Sequence, residues 1–170
     1  MYSYFGNKKY RGIIMNKKAL TTLEYNKIIL KLEDFAASSL GKEMCRALLP
    51  SSDIEIVRKT QRETADALLR IIKKGSLSFA GTKNIGPSLK RLAIGSSLGM
   101  GELLAIASVL EATARVKAFS SKLSEEDPED SLDERFALLD PIPSLMHDIQ
   151  RCIVSDEEMS DEASPTLKSI

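Results

Sequence analysis

Apolar residues recur every three to four positions along most of this chain, and short polar or glycine-containing connections separate the runs. Such spacing predicts amphipathic helices. The first clear run begins at Asn26, and a second, shorter run ends before Pro50, because proline lacks a backbone donor and disfavours a helical residue before it. The apolar positions of the two runs are Ile28, Ile29, Leu32, Phe35 and Ala36, then Leu40, Met44, Ala47 and Leu48.

A third helix is predicted over about residues 54–74 and has clear signals at both ends. Ser51, Ser52 and Asp53 offer capping oxygens before it. Gly75 suits the left-handed residue that closes a helix. The middle of this helix is poor in apolar residues, so we expect it to contact its neighbour over a narrow surface. The stripe that would make this contact comprises Ile54, Val57, Leu68, Ile71 and Ile72, with Gln61 and Thr64 between them.

Further helices are predicted in the second half of the chain. A short one passes through Leu89 and Leu92, and the stretch from Leu103 to Phe119 is apolar over an arc wide enough for a well-buried helix. Another opens at Pro143, and Ser164-Pro165 is typical of a cap followed by proline at the first helical position. Because so little sequence follows Pro165, this last signal indicates a piece of a longer protein. The apolar stripe after Pro143 comprises Ile142, Leu145, Met146, Ile149 and Ile153.

The predicted fold is therefore mainly α, with one small β-hairpin near the C-terminus. Ile153-Val154-Ser155 and Met159-Ser160 would form its two strands around a polar turn. The composition agrees with a helical fold, since aromatic residues make up only 5% of the chain and Trp is absent. Cores built on Leu, Ile and Ala favour helices, because these residues lose little side-chain freedom there.

Charge is divided unevenly along a chain whose formal net charge is zero. Residues 1–122 carry 21 basic against 10 acidic residues, a balance of +11, whereas residues 123–170 carry 3 against 14, a balance of −11. Seven acids lie between Glu125 and Glu134, a run typical of an exposed loop. The basic part could face nucleic acid. Its basic side chains are scattered and not clustered with aromatic residues, however, which favours solvated helix faces that the acidic segment partly neutralises.

These patterns divide the chain into four parts. Residues 1–14 show no periodicity and are interpreted as a disordered leader or a mis-assigned start. Residues 15–122 form the first part of a helical core, and residues 123–134 form an acidic loop. Residues 135–170 hold a helix, the hairpin and the start of a last helix.

No catalytic or metal-binding arrangement stands out. Cys45 and Cys152 are the only cysteines, they lie far apart in the sequence, and His147 is the only histidine. This residue count argues against a zinc site and against a disulfide scaffold. We interpret them as buried or half-buried thiols. His147 is interpreted as a surface residue, and an acidic loop could not hold the geometry that a metal needs. We therefore expect no enzyme activity and no cofactor in this chain alone.

Two glycine-containing stretches lack the features of a phosphate-binding loop or a nucleophile elbow. GTKNIGPSLKR lacks the spacing of a loop that wraps phosphates, and there is no GxxxxGK[ST] motif. Gly95-Ser96-Ser97-Leu98-Gly99 superficially suggests a nucleophile elbow, but that turn needs a preceding strand. The remaining candidate is weak nucleic-acid contact through Lys83, Lys90 and Arg91, whose region is poor in acids and has only Phe79 for stacking.

Membrane insertion and secretion are not predicted. No run of about 18 apolar residues exists, and the apolar stretch Ile13-Ile14-Met15 is too short for the core of a secretory signal. A cytoplasmic location is expected.

The order of segments resembles a known family. ALTTLEYNKIILKLEDFAASSLGKEMCRALLPSSD resembles the opening of the second bacterial MutS paralogue, the branch that ends in a small MutS-related nuclease domain. The likeness continues through ETADALLRIIKKGSLSFAGTKNIGPSLKRLAIGSSLGMGELLAIASVL and returns in RCIVSDEEMSDEASPTLKSI. It covers essentially Met15 to Ile170. Two features depart from the family pattern: Glu157 and Glu158 occupy the hairpin turn that usually carries Gly, and the leader has no counterpart.

The resemblance implies that the chain is the N-terminal part of the helical core, or lever region, of a longer parent protein. Such a parent would be a homodimeric ATPase using ATP and Mg, with a C-terminal endonuclease. The family is associated with DNA binding, suppression of recombination and, in some bacteria, the splitting of collided ribosomes. Its nucleotide-binding and nuclease motifs match nothing here, so no catalytic residue is carried over.

Three hypotheses follow from the sequence. The first is a structural part that couples ATP-driven changes of the parent to a clamp on DNA or the ribosome. The second is a free-standing helical interaction or regulatory protein. The third is direct nucleic-acid binding by the basic first two-thirds of the chain.

Overall fold

The computed structural model describes residues 17–79, 82–121 and 129–169, and within those ranges the chain is built from helices. The predicted leader, residues 1–14, lies outside the described residues. The helices of the described ranges are α1 (Lys17–Thr22), α2 (Tyr25–Asp34), α3 (Ser39–Ala47), α4 (Ile54–Lys74), α5 (Gly86–Ala93), α6 (Met100–Ser120), α7 (Asp133–Ala137), α8 (Pro143–Cys152) and α9 (Pro165–Lys168), with a 3-10 turn over Asp161–Ala163. The prediction of a mainly α fold is confirmed.

Helices α2 and α3 pack against each other and form the two short helices that the first apolar runs predict. Ser38 caps α3 by accepting a hydrogen bond from the backbone N–H of Gly41 at 3.0 Å. Arg46 of α3 donates to both carboxylate oxygens of Glu33 on α2, with Nε at 2.9 Å from Oε2. Phe35, which follows α2, stays 87% exposed.

Helix α4 begins and ends where its sequence signals predict. The Asp53 side chain accepts from the N–H groups of Glu55 and Ile56 at 3.0 and 3.4 Å, which satisfies two donors of the first turn. Gly75 follows the last helical residue with φ 87°, a value that favours glycine. The helix is 21 residues long and therefore extends over roughly 32 Å.

The apolar core lies where α6 packs on α8. Helix α6 is apolar around most of its circumference, which is typical of a helix that has neighbours on more than one side. Its first turn is closed by Glu102, whose Oε2 accepts from the Gly99 N–H at 3.0 Å. The buried members of this core are Ile106, Ala107, Leu110, Ile149 and Ile153.

The predicted hairpin over residues 153–160 is not formed, and the prediction was wrong. The described residues there contain a single antiparallel bridge between Ile153 and Met159. The turn is held by the Val154 and Ser155 N–H groups, which both donate to the Glu158 carbonyl, at 3.0 and 3.2 Å. Two-residue hairpin turns favour positive φ and therefore Gly or Asn. Without such a residue the chain does not continue into a ladder.

The last helix signal is confirmed over the described residues. Ser164 caps α9 by accepting from the Leu167 N–H at 3.2 Å, and Pro165 takes the first helical position. Among the described residues, no helix is long and apolar enough to cross a membrane. Cys45 and Cys152 are both free and half-buried.

Candidate functional site

A buried arginine joins α4 to the acidic part of the chain. Arg70 of α4 is 9% exposed and donates to both oxygens of Asp130, from Nε at 2.5 Å and from Nη2 at 2.9 Å. Its Nη2 also donates to Asp133 Oδ1 at 2.5 Å. The guanidinium group further lies 4.7 Å from the centre of the Phe136 ring. We call Arg70, Asp130 and Asp133 the clasp.

The clasp also closes the end of α6. Arg70 Nη1 donates to the Ser120 carbonyl at 3.3 Å, and Lys74 Nζ donates to the Phe119 carbonyl at 2.9 Å and to that of Ser121. The last carbonyls of a helix lack intrahelical partners and carry the negative end of its dipole. Arg70 and Lys74 of α4 therefore donate hydrogen bonds to carbonyl groups at the C-terminal end of α6.

Two further contacts extend the clasp along α4. Asp66 accepts from both the N–H and the hydroxyl of Ser131, at 3.0 and 2.5 Å. Arg135 donates to Glu63 at 2.8 Å. Glu63, Asp66, Arg70 and Lys74 are spaced at i, i+3, i+7 and i+11, which places them on one face of the helix. Helix α4 is thus attached to the rest of the chain through a charged face.

The electrostatics of the clasp favour its ionised form. Hydrogen bonding from Arg70 is the main cause that lowers the pKa of Asp130 below its ordinary value. The backbone N–H of Asp130 is the main cause that lowers the pKa of Asp133, and Arg70 adds to it. The same contacts raise the pKa of Arg70. Both carboxylates are therefore charged at neutral pH.

The described residues include the second half of the acidic run. Residues 123–128 of the predicted loop lie outside the described residues. From Glu129 onward the run leads into α7 and binds α4 through Asp130 and Asp133. These acids were not singled out from the sequence. No local signal links them to Arg70, which lies 60 positions before Asp130.

A cavity of about 380 Å³ lies beside the clasp, between α4 and the segment that follows Glu129. Basic and acidic side chains both line it, four of each. The charged residues that line it are Arg62, Asp66, Arg70, Lys73, Lys74, Glu129, Asp130 and Asp133.

A second feature is the apolar surface that the described residues leave open. Seven hydrophobic side chains of the described residues are buried, whereas 24 large ones are exposed. Part of this surface lies on α4, where Leu68 is 56% and Ile72 is 70% exposed. These residues lie on the side of α4 opposite the clasp, because the two sets are separated by about half a helical turn. An isolated soluble domain rarely leaves so much apolar surface uncovered.

The three residues predicted to contact nucleic acid lie at and just before α5. Lys83 precedes the helix, and Lys90 and Arg91 belong to its last turn; all three are exposed. Arg91 is engaged within the chain, since Nη1 donates to Glu102 Oε1 at 2.9 Å and Nη2 to the Ser97 carbonyl at 2.9 Å. Their contact with nucleic acid stays a prediction.

The other candidates from the sequence are placed as follows. His147 is exposed on α8. Gly95, with φ 82°, lies in the connection between α5 and α6 and is flanked by helices. Within the described ranges, no group of three or more His, Cys, Asp or Glu side chains could hold a metal ion.

Comparison with known proteins gives a consistent result. No family model matches the chain. The chain is 52% identical over 161 residues to Endonuclease MutS2 of Lachnoclostridium phytofermentans. It is 46% identical over 156 residues to Endonuclease MutS2 of Agathobacter rectalis, and 41% identical over 157 residues to that of Acetivibrio thermocellus.

In each of these three cases the match covers 92% of this chain but only 20% of the relative. The chain thus spans about a fifth of the length of the curated relatives that it matches. The resemblance to the second bacterial MutS paralogue is confirmed, and the chain belongs to the MutS2 family.

Proposed function

We propose that the chain is a helical structural part of a MutS2-type protein that acts on DNA, and that it has no active site of its own. The observation that carries this proposal is the 52% identity to Endonuclease MutS2 over 92% of the chain. The relatives carry the name Endonuclease MutS2 and are about five times as long as the part that this chain matches. The cleavage chemistry is therefore assigned to the rest of such a protein.

The open apolar surface supports a structural role. Side chains such as Leu68 and Phe35, at 56% and 87% exposure, would be costly to leave in water, since burial contributes roughly 25 cal/mol per Å² of apolar surface. A role as one part of a larger assembly gives these side chains a partner. The resemblance further suggests a homodimeric cytoplasmic parent that uses ATP and Mg to drive a clamp on DNA.

The family resemblance further suggests the ribosome as a second target for such a parent. The same helical part would then transmit ATP-driven movement to a clamp on stalled ribosomes. Separate measurements distinguish the two targets. DNA binding by the assembled protein is measured on a duplex, and ribosome binding is measured by co-sedimentation with collided ribosomes.

The experiment adds the purified chain to the L. phytofermentans relative from which the matching segment has been deleted. We expect the deleted relative to lose DNA binding and the added chain to restore it. The isolated chain is assayed in parallel for ATP hydrolysis and DNA cleavage. Turnover by the isolated chain would contradict a purely structural role, and full DNA binding by the deleted relative would show that the part is dispensable.

A free-standing interaction or regulatory protein is the alternative function. The α6–α8 core and the clasp favour it, since they give the chain a buried centre of its own. This alternative predicts a cooperative thermal melt of the isolated chain and a defined partner other than a MutS2-type protein. A non-cooperative melt with aggregation would argue against it.

Direct nucleic-acid contact through Lys83, Lys90 and Arg91 is a further candidate. Lys83 lies just before α5 and Lys90 lies in its last turn, and both side chains are exposed. Binding of labelled duplex DNA is measured at several salt concentrations for the wild type and for the triple Gln variant. If all three residues contact phosphates, the slope of log affinity against log salt falls by about 3 in the variant. An unchanged slope would refute the contact.

A further inference from the structure

Helix α4 and the acidic residues 129–133 lie on two sides of the cavity beside the clasp. We call residues 129–133 the strap; its acids are Glu129, Asp130 and Asp133. On the side of α4, four basic residues and one acid, Asp66, line the cavity. The basic residues are Arg62, Arg70, Lys73 and Lys74.

The strap binds α4 in the way that a phosphate group would. The two carboxylate oxygens of Asp130 accept from Nε and Nη2 of Arg70, at 2.5 and 2.9 Å. Arginine makes the same two-pronged contact with phosphate oxygens. The strap therefore supplies α4 with the kind of partner that the backbone of a nucleic acid would otherwise offer.

Arg62 differs from Arg70, because it lines the cavity without belonging to the clasp. Its side chain is exposed, as is that of Glu129 on the strap. Arg62 can therefore contact an anion outside the molecule while the clasp stays closed. The charge of Glu129 opposes such an anion, since exposed charges act on each other over roughly 10 Å at moderate salt.

We propose that the strap is an autoinhibitory contact that keeps the phosphate backbone of duplex DNA away from the basic side chains of α4. This inference rests on the proposed function, because it names a DNA-contacting surface of the same protein and its regulation. Neutralising the exposed acid of the strap makes Arg62 available to phosphate. The division of charge agrees with this competition, since residues 1–122 carry a balance of +11 and residues 123–170 a balance of −11.

A small free anion is a poorer occupant than a duplex. The cavity holds four acids and four bases, so an anion inside it gains little from the charges around it. A duplex that lies along α4 stays outside the cavity and meets further cations. Arg58 and Lys59 are exposed about one turn before Arg62, and the pair between Arg58 and Glu55 is exposed on both sides. Exposed pairs of this kind are weak and do not hold Arg58 in place.

The test measures binding of a labelled DNA duplex to this chain at several salt concentrations. The strap variant is Glu129→Gln, and the matched control is Glu157→Gln, which removes the same charge from an exposed position that does not line the cavity. Circular dichroism verifies that each variant keeps its helices. At about 50 mM salt, where phosphate contacts are strong, we expect Glu129→Gln to lower the Kd about three- to tenfold and Glu157→Gln to leave it within a factor of about two.

A double variant identifies the surface that the strap covers. Arg62→Gln combined with Glu129→Gln should lose the gain in affinity. Its slope of log affinity against log salt should be smaller by about 1 than that of Glu129→Gln, because one phosphate contact is removed.

Each other outcome overturns the inference. Equal Kd values for wild type and Glu129→Gln would mean that the strap does not compete with DNA. A gain of the same size in Glu157→Gln would assign the effect to net charge, and a gain that persists in the double variant would exclude Arg62. If no variant binds the duplex, or if only single-stranded RNA binds, DNA is not the occupant. The proposed function is tested separately, by whether the added chain restores DNA binding to the relative that lacks the matching segment.

Discussion

Arg70 and Asp130 lie 60 positions apart in the sequence, yet they form a two-pronged ion pair through Nε and Nη2 of the guanidinium group. The pair is nearly enclosed, with side-chain exposures of 10% and 21%. It connects the end of the long helix α4 to the segment that leads into α7. Few apolar contacts accompany this ion pair. The pair therefore sets the position of α4 relative to the segment that leads into α7.

The first prediction concerns removal of the buried cation. Arg70→Gln leaves Asp130 and Asp133 close together without a counter-charge and the Ser120 carbonyl without its Nη1 donor. We expect the free energy of unfolding to fall by roughly 2 to 4 kcal/mol, because breaking one side of a buried pair strands the other. Urea denaturation followed by circular dichroism measures the change.

The matched control for this prediction is Arg115→Gln. Arg115 pairs with Glu111 at 2.9 Å within α6, but both side chains are about half exposed. Exposed pairs of this kind contribute about 0.5 kcal/mol or less. If Arg70→Gln costs no more than Arg115→Gln, the clasp does not hold α4 in place.

The second prediction concerns pH. The pKa of Asp130 lies below its ordinary value in the folded chain, so its ionised form stabilises the fold above the ordinary aspartate pKa of about 3.9. This contribution is lost as the pH falls through the lowered pKa. We expect Asp130→Asn to be less stable than wild type at pH 7, and the difference to shrink steadily below about pH 4.

Urea denaturation of both proteins at intervals between pH 7 and pH 2 measures this difference. Glu33 and Glu102 also have lowered pKa values, but they are present in both proteins and cancel in the comparison. Asp133 also has a lowered pKa, and because it shares Arg70 with Asp130, the difference reports the two aspartates together. A difference that stays constant across the whole pH range would mean that the charge of Asp130 contributes nothing.

The helices were predictable because their signals are local. Asp53 before α4, Gly75 after it, Pro143 at the start of α8 and Ser164 before α9 each mark a boundary that the structure reproduces. Capping and proline effects depend only on neighbouring backbone groups. Local sequence is therefore sufficient for them.

The arrangement of the helices was not predictable in the same way. The apolar stripe of α4 was expected to face its neighbour, yet α4 is attached through Glu63, Asp66 and Arg70, and the stripe is open. Which face a helix buries depends on partners distant in the sequence. The acid that binds Arg70 lies 60 positions further on, within a run that composition alone presents as a solvated loop.

The third prediction compares a core leucine with an exposed one. Leu110 of α6 is 9% exposed and belongs to the buried cluster with Ile149 of α8. We expect Leu110→Ala to lower the free energy of unfolding by about 2 to 5 kcal/mol, because it removes buried methyl groups and leaves a cavity. Leu138→Ala, at a position 86% exposed, should change it by less than about 0.5 kcal/mol. Equal losses in the two variants, measured by urea denaturation, would show that α6–α8 is not the stabilising core.

The fourth prediction pairs two glycines with opposite requirements. Gly75 has φ 87° and ψ −180°, a conformation that is essentially restricted to glycine, and a Cβ there would meet nothing within 4 Å. Gly75→Ala should therefore cost roughly 1 to 3 kcal/mol through backbone strain alone.

Gly101 lies in the first turn of α6, and its added Cβ would make an ordinary contact of 3.4 Å with Asp156. Gly101→Ala should be neutral or stabilising by up to about 1 kcal/mol, since alanine favours helices. Thermal denaturation of both variants tests these two expectations. If Gly75→Ala leaves the stability unchanged, the backbone after α4 can adopt another conformation.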